Sequence, residues 1–214
     1  MTIENIAAQL ASSLGHTDES ANIELAEALC QSDDQTAVAF VVDILETGTK
    51  TLRKDAIKVL YEVGARRPEL IVPHTDVFFD GIDSRDNRIV WGALKALAKI
   101  CTVSPDSVAD RLNLVLKAAD NGSVIAKDQA VEILVSLKSL PKYTQVASSE
   151  LFSRLRTAAI NQLPRYAEIT AANLLPSEMN EFLSILEMRL ADPMSESSRR
   201  RLRKVAITAS SVSH

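Results

Sequence analysis

The sequence contains few of the residues on which several large classes of protein depend. Aromatic residues make up 4% of the 214 residues and only six residues are glycine, which argues against sheet-rich folds and glycine-rich nucleotide sites. Two cysteines, Cys30 and Cys101, are too few for a disulfide framework or a four-thiolate zinc site. With 46% hydrophobic and 24% charged residues, the chain nevertheless has the composition of a folded globular protein.

Signals for secretion and for membrane insertion are also missing. The N-terminal residues show no basic stretch followed by an apolar core, so they do not resemble a secretory signal. No apolar run approaches the roughly 20 residues that are needed to cross a bilayer. Together with the scarcity of cysteine, these features predict a soluble cytoplasmic protein that has no membrane contact.

Charge is unevenly distributed along the chain. Residues 1–49 contain nine acidic side chains and no lysine or arginine, whereas the rest of the chain has 24 basic and 19 acidic side chains. The last twenty residues include one acidic residue, Glu196, and a basic cluster. This cluster consists of Arg199, Arg200, Arg201, Arg203 and Lys204. The polarity predicts a basic patch near one end or head-to-tail association between molecules, with simple solvation of both faces as the alternative.

Three segments, residues 52–63, 89–100 and 126–137, align without gaps at a period of 37 residues. Small or aliphatic residues recur in them at relative positions 0, +1, +4 and +7, which is the spacing of one helix face. These apolar columns are Ala56/Ala93/Ala130, Ile57/Leu94/Val131, Leu60/Leu97/Leu134 and Val63/Ile100/Leu137. Thr49, Asp86 and Ser123 precede the segments as candidate N-caps at the same spacing.

Each of these segments follows a shorter apolar stripe and a turn, so the repeating unit is a helix–turn–helix that must stack on its neighbours. Further helices are expected over residues 3–14 and 18–31 and near 147–162, 165–175, 177–191 and 196–209. In the 165–175 helix, Ala171 and Leu175 echo the alanine and leucine columns. The sequence predicts one all-α domain over residues 1–214, built from about six antiparallel helix hairpins. Within it we expect a capping hairpin at 1–34, three regular 37-residue repeats at 35–140 and degenerate repeats at 141–214.

The pattern Leu52-Arg53-x-x-Ala56-x-x-x-Leu60, with its 37-residue period, resembles the second helix of HEAT and armadillo repeats. The basic residue of the pattern recurs as Lys127 but is replaced by Val90 in the middle repeat. The resemblance implies an α-solenoid with a right-handed superhelix, whose second helices line a concave surface where partners dock. It implies a scaffold or adaptor that binds a protein partner.

The helical wheel gives candidates for that surface. At about 100° per residue, positions 54, 58, 61 and 62 and their equivalents point away from the apolar columns. In the first two repeats these positions are rich in lysine and include the single tryptophan. The predicted partner-binding residues are Lys54, Lys58, Trp91, Lys95 and Lys99. Tryptophan is enriched at binding hot spots, and the alternative is that Trp91 packs against a neighbouring repeat.

The sequence shows no recognisable catalytic pattern. It has no GxSxG elbow, phosphate-binding loop, GxGxxG or HExxH motif, and Cys101, which directly follows a core position, is expected to be a buried structural thiol. His74, Asp76 and Asp80 are better explained as residues of a helix start than as metal ligands. We therefore predict a protein that is not an enzyme and has no cofactor or metal.

The alternative is a nucleic-acid-binding solenoid similar to the DNA alkylation repair glycosylases. In that case the lysines and the Arg199–Lys204 cluster would be the phosphate contacts. No matching Trp/Asp catalytic pair is present in the sequence.

Overall fold

The structure is a computed structural model that describes residues 3–211, with side chains for residues 4–210; the extreme ends of the predicted domain lie outside this range. The described residues form helices, turns and loops, and no strand occurs among them. The helices are α1 (Ile3–Gln9), α2 (Ser20–Ser32), α3 (Gln35–Thr47), α4 (Lys50–Arg66), α5 (Thr75–Ile82), α6 (Asn87–Val103), α7 (Pro105–Ala109), α8 (Leu112–Asp120), α9 (Val124–Lys138), α10 (Thr144–Thr157), α11 (Leu163–Ala171), α12 (Met179–Leu190) and α13 (Glu196–Ser211). Single 3₁₀ turns lie at Pro68–Leu70, Val72–His74 and Pro176–Glu178.

The three aligned segments form α4, α6 and α9, as predicted. The candidate caps Thr49, Asp86 and Ser123 each accept a hydrogen bond from a backbone N–H in the first turn, which fixes where these helices begin. Every residue of the four apolar columns is buried, with at most 1% of its surface exposed. The predicted register is therefore confirmed for all three helices.

In the first two repeats the preceding helix packs against the aligned helix: α3 packs against α4, and α5 packs against α6. Arg53 strengthens the first pair, because its Nε donates a hydrogen bond of 2.8 Å to the carbonyl of Leu45 near the end of α3. Carbonyls in the last turn of a helix have no partner within the helix, so the guanidinium group satisfies one of them. Val90, at the equivalent position of α6, has no donor to offer. In the third repeat the first helix is interrupted and forms α7 and α8.

The flanking helices depart from the predicted boundaries. α1 ends at Gln9, and the turn that follows leaves Leu14 50% exposed. α11 ends at Ala171, so the expected echo of the alanine and leucine columns is wrong, and Leu175 is 42% exposed. The cause is Pro176, which restricts the preceding residue to extended backbone (φ −83°, ψ 149° at Leu175) and prevents the helix from reaching it.

The chain separates into two compact units, residues 1–133 and 134–214, and the boundary falls inside α9. In the first unit α4 packs against α2, α3 and α6. A buried carboxylate anchors the N-terminal turn there: Asp55 accepts hydrogen bonds of 2.9 Å from the Ser12 N–H and from Asn22 Nδ2. In the second unit α10 to α13 enclose an apolar core that includes Leu151, Phe182 and Leu202.

Candidate interaction surface

The predicted binding residues lie on α4 and α6, which pack closely side by side in the first unit. A Cβ atom at Gly92 would lie 2.6 Å from Ile57 Cγ1, so glycine permits this close approach. Residues that face away from the apolar columns therefore meet across the two helices. We call these residues the α4–α6 face, and they are Lys54, Lys58 and Tyr61 on α4 and Trp91, Lys95 and Lys99 on α6.

Two aromatic rings and a lysine form the centre of the α4–α6 face. The ring centroids of Tyr61 and Trp91 are 5.7 Å apart and their planes are inclined by 48°, which is a favourable tilted arrangement. Lys95 Nζ lies 4.6 Å from the Tyr61 centroid and 5.2 Å from the Trp91 centroid, within the range of cation–π attraction. Trp91 thus packs against a neighbouring repeat through Tyr61 and remains partly exposed.

The expectation that Lys58 and Tyr61 face solvent is wrong, since each has only 6% of its surface exposed. α4 is packed against α2 and α6 as well as α3, so positions opposite its apolar columns are also covered. The Lys58 ammonium group pairs with Glu62 at 2.8 Å and with Glu19 at 3.2 Å. Burial alone would lower the pKa of Lys58, but the hydrogen bonds and charges of Glu62 and Tyr61 together outweigh this effect and raise the pKa. Lys58 consequently connects α4 to the start of α2, and its charge is neutralised within the protein.

A second set of ion pairs links the starts of α2 and α6 to α4. Glu19, which precedes α2, pairs through one oxygen with Lys58 and through the other with Arg88 at the start of α6. Asp86, the N-cap of α6, pairs with Lys54 at 3.2 Å. Burial alone would raise the pKa of Asp86, but the Arg88 N–H and the Lys54 ammonium group lower it. Lys54 is therefore also engaged within the molecule.

Lys95 differs from the other lysines of the α4–α6 face because no carboxylate of the described residues lies within 4.0 Å of its Nζ. Lys99, four residues later, has a partner in Glu132 at 3.9 Å. Burial lowers the pKa of Lys95 and the charges of Lys58 and Lys99 lower it further, which the carboxylates of Glu62 and Glu132, more than 4.0 Å away, offset only in part. A partly buried cation whose charge is only partly compensated is unfavourable, so an anionic group from outside would be stabilised there.

The basic cluster of α13 divides into engaged and unengaged side chains. Arg201 forms a bidentate pair with Glu168, with distances of 2.9 and 2.8 Å, and its hydrogen bonds lower the pKa of Glu168. Arg199 donates a hydrogen bond to the carbonyl of Leu190 at the end of α12. The remaining members are exposed and have no carboxylate of the described residues within 4.0 Å. They are Arg200, Arg203 and Lys204.

Comparison with solved structures identifies the architecture. A designed armadillo repeat protein in complex with the peptide (KR)4 matches with a TM-score of 0.65 and 17% identity, over 97% of this chain and 89% of that chain. Computationally designed armadillo repeat proteins for modular peptide recognition match with a TM-score of 0.64 and 17% identity, over 97% and 99%. The archaeal HEAT-like repeats protein from Thermococcus onnurineus NA1 matches with a TM-score of 0.56 and 14% identity, over 100% and 99%.

This chain has the fold of armadillo and HEAT-like repeat proteins. The predicted fold class, an all-α solenoid, is therefore confirmed. No protein-family model and no curated protein matches the sequence. At these identities the likeness concerns the fold of the solenoid alone.

Sequence reasoning missed two parts of this surface. Tyr61 belongs to an outward row, but its contact with Trp91 depends on the distance between α4 and α6. Glu19 lies 39 and 69 residues from Lys58 and Arg88, and no local pattern connects them. Only the stacking of consecutive repeats brings these side chains together.

The structure also locates the residues that were considered for metal binding and for nucleophilic chemistry. The described residues contain no set of three histidine, cysteine or acidic side chains placed to hold a metal ion, and Asp76 pairs with Arg111 at 2.7 Å. Cys101 is buried, as expected, and burial raises the pKa of its thiol to about 12. This thiol is therefore protonated at neutral pH and a poor nucleophile. Within residues 3–211 no helix has the length and apolar character required to span a membrane.

Proposed function

We propose that this solenoid is a non-enzymatic scaffold that binds an acidic segment of a protein partner on the α4–α6 face. The observation that carries the proposal is the ammonium group of Lys95, which lies against two aromatic rings and has no carboxylate of residues 4–210 within 4.0 Å. Trp91 provides partly exposed aromatic surface directly beside it. Lys54 and Lys99 flank this centre with charges that are already paired.

The energetics of such a contact are favourable. A hydrogen bond between a partner carboxylate and Lys95 would be charge-assisted, and such bonds contribute about 1.5–3 kcal/mol. The rings of Tyr61 and Trp91 restrict the lysine side chain before binding, which reduces the entropy lost when the partner arrives. Aromatic residues at the centre of a contact also commonly dominate its binding energy.

The unpaired charge determines which peptides should bind. One structural neighbour, the designed armadillo repeat protein, is in complex with the basic peptide (KR)4. We expect the opposite preference here, because a basic peptide on the α4–α6 face would place like charges beside Lys95. An acidic peptide would instead supply the missing counter-charge.

Fluorescein-labelled (DE)4 and (KR)4 peptides test this preference by anisotropy. We expect saturable binding of (DE)4 but not of (KR)4. Binding should change the fluorescence emission of Trp91, the only tryptophan in the chain. Lys95→Met and Trp91→Ala should each weaken binding about tenfold or more, which corresponds to about 1.4 kcal/mol. Lys117→Met is the matched control, because Lys117 is an exposed lysine on α8, outside the α4–α6 face.

Two results would contradict the proposal. One is equal affinity of the Lys95→Met variant and the unmodified protein for (DE)4, with circular dichroism showing that both are folded. The other is tighter binding of (KR)4 than of (DE)4. A loss of affinity in Lys117→Met as large as in Lys95→Met would reduce the interaction to general attraction by positive charge.

Nucleic-acid binding is a second candidate function, favoured by the exposed stripe of Arg200, Arg203 and Lys204. Their spacing of three and four residues places them on one side of α13. Binding of duplex DNA through phosphates would weaken steeply with added salt, whereas a contact centred on Trp91 would be less sensitive. Replacing the three basic residues by serine would abolish DNA binding and leave (DE)4 binding unchanged.

The proposal requires no cofactor and no catalytic step. Cys30 and Cys101 are both free thiols. Free cysteines suit a reducing compartment, and we expect the protein to act in the cytoplasm.

A further inference from the structure

A groove lies between α11 and α13 in the second compact unit and is separate from the α4–α6 face. Its volume is about 680 Å³, within the range of about 300–1,000 Å³ that is usual for binding pockets. Most of its lining is aliphatic. The apolar lining residues are Ala171, Ala172, Leu174, Met179, Val205 and Ala209.

Positive charge lies along one wall of this groove. Glu168, Arg201 and Lys204 line it together, and the bidentate pair between Glu168 and Arg201 leaves Lys204 as the excess charge. Arg200 and Arg203 are exposed on the same helix but do not line the groove. Residues 134–214 as a whole contain eleven basic and seven acidic side chains, a formal charge of +4.

We propose that this groove binds an amphipathic helical segment of a partner protein that has an aliphatic face and acidic flanks. The aliphatic lining suits leucine-like side chains, and Lys204 at the wall suits a carboxylate. The groove follows α13 from Arg201 to Ala209, which is about 12 Å at a rise of 1.5 Å per residue. That length accommodates about two turns of a helix, whose apolar residues at positions i, i+3 or i+4 and i+7 would enter it.

This occupant agrees with the chemistry of the groove better than a nucleic acid does. The phosphates of a nucleic acid bind to cationic side chains, and the six apolar side chains of the groove provide no such contact. A second copy of the chain is the competing occupant, since residues 1–49 are acidic. Three of those acids are already paired within the first unit: Glu19 with Lys58 and Arg88, Glu27 with Arg66, and Asp33 with Arg67. A separate acidic partner is therefore a better-supported occupant of the groove than a second copy of the chain.

The test uses the full chain and a fluorescein-labelled peptide of about 15 residues, long enough to fill two helical turns of the groove, with leucines at helical spacing and glutamates elsewhere. Two variants change the groove: Lys204→Glu reverses its unpaired charge and Ala172→Trp fills it. Each has a matched control outside the groove. Arg203→Glu reverses an adjacent charge on α13, and Ala191→Trp adds the same side chain at the C-cap of α12, where the backbone (φ −76°, ψ −17°) resembles that at Ala172 (φ −65°, ψ −17°).

Because the peptide is acidic, all measurements use the Lys95→Met variant, which removes the contact proposed for the α4–α6 face. In that background the proposal predicts saturable binding that is weakened at least about tenfold by Lys204→Glu and is lost in Ala172→Trp. In the same background both controls should bind as Lys95→Met alone does, and a peptide with lysine in place of glutamate should not bind. Trp91→Ala should also bind normally, which separates this groove from the α4–α6 face. Equal binding by all variants overturns the proposal, and so does equal weakening by Arg203→Glu and Lys204→Glu. Sedimentation that shows a dimer dissociated by Ala172→Trp would assign the groove to a second copy and overturn the proposed occupant.

Discussion

Replacing Glu178 by glutamine should strongly destabilise the protein, because it leaves a buried lysine without its counter-charge. The Lys138 side chain is only 2% exposed, and its ammonium group lies 2.6 Å from both carboxylate oxygens of Glu178. Ser148, which is also buried, accepts a further hydrogen bond from Lys138. Lys138 has no other carboxylate partner among the described residues.

The expected cost follows from this burial. Removing one partner of a buried ion pair typically costs about 3–5 kcal/mol, because the remaining charge stays desolvated. The glutamine variant keeps the size of the side chain and an acceptor for the Leu175 N–H, so most of the loss should arise from the charge. Urea denaturation followed by far-ultraviolet circular dichroism measures the difference in the free energy of unfolding.

The reverse change should be milder. In Lys138→Met the remaining carboxylate is 14% exposed and still receives hydrogen bonds from Leu175 and Ser148, so it is better solvated than the lysine would be. The double variant Lys138→Met with Glu178→Met should recover much of the stability, as replacement of whole buried pairs by apolar residues often does. A double-mutant cycle then isolates the energy of the pair.

The pH dependence provides an independent check. Burial alone would raise the pKa of Glu178, but hydrogen bonds from Lys138, Ser148 and Leu175 lower it below its ordinary value of 4.5. A carboxyl group with a lowered folded-state pKa stabilises the protein fully above the unfolded pKa, and this contribution is lost as pH falls through the folded pKa. The stability gap between the unmodified protein and Glu178→Gln should therefore narrow in acid. A loss below about 1 kcal/mol at neutral pH, or a gap that widens in acid, would refute this account.

Two further predictions concern the first unit. Ala93→Leu should lower the free energy of unfolding by about 1–3 kcal/mol in urea denaturation, because Ala93 is fully buried and packs so closely on Gly81 that a Cβ added to Gly81 would lie 3.0 Å from the Ala93 Cβ. Ala65→Leu, at an exposed site of α4, is the control. Equal stability of the two variants would contradict the register. Cys101 should react with a thiol reagent at neutral pH only after unfolding, because burial raises the pKa of its thiol to about 12. The Cys30→Ser variant leaves Cys101 as the one cysteine, and rapid labelling of this variant in the folded state would contradict the prediction.

Local pattern was sufficient for the regular repeats. The alanine, leucine and aliphatic columns at helical spacing identified which face of α4, α6 and α9 is buried, because burial of apolar surface imposes the helical period on the sequence. The caps Thr49, Asp86 and Ser123 marked the helix starts, because a side-chain oxygen there satisfies backbone N–H groups that have no partner within the helix. Periodicity also predicted stacking, since a single hairpin cannot bury its own apolar face.

The helical wheel was less informative about what lies opposite the core. It treats a helix as having one buried and one solvated side, whereas α4 contacts helices of its own repeat and of both neighbouring repeats. Lys58 is a buried, paired cation, whereas Lys95 has no carboxylate within 4.0 Å in the described part of the chain, although the two lysines occupy equivalent positions in the 37-residue period. Their difference depends on Glu62 and Glu19, and the second of these lies far away in the sequence.

The sequence by itself determined the helix type, the repeat register and the residues of the regular core, because these depend on neighbours within a few turns. Only the tertiary structure decided which charges are neutralised, as with Arg201 and Glu168, and which remain available, as with Lys204. It alone decided the groove between α11 and α13, whose lining comes from separate stretches of the chain. Such features depend on distances between side chains on different helices, and these distances are set only when the helices pack.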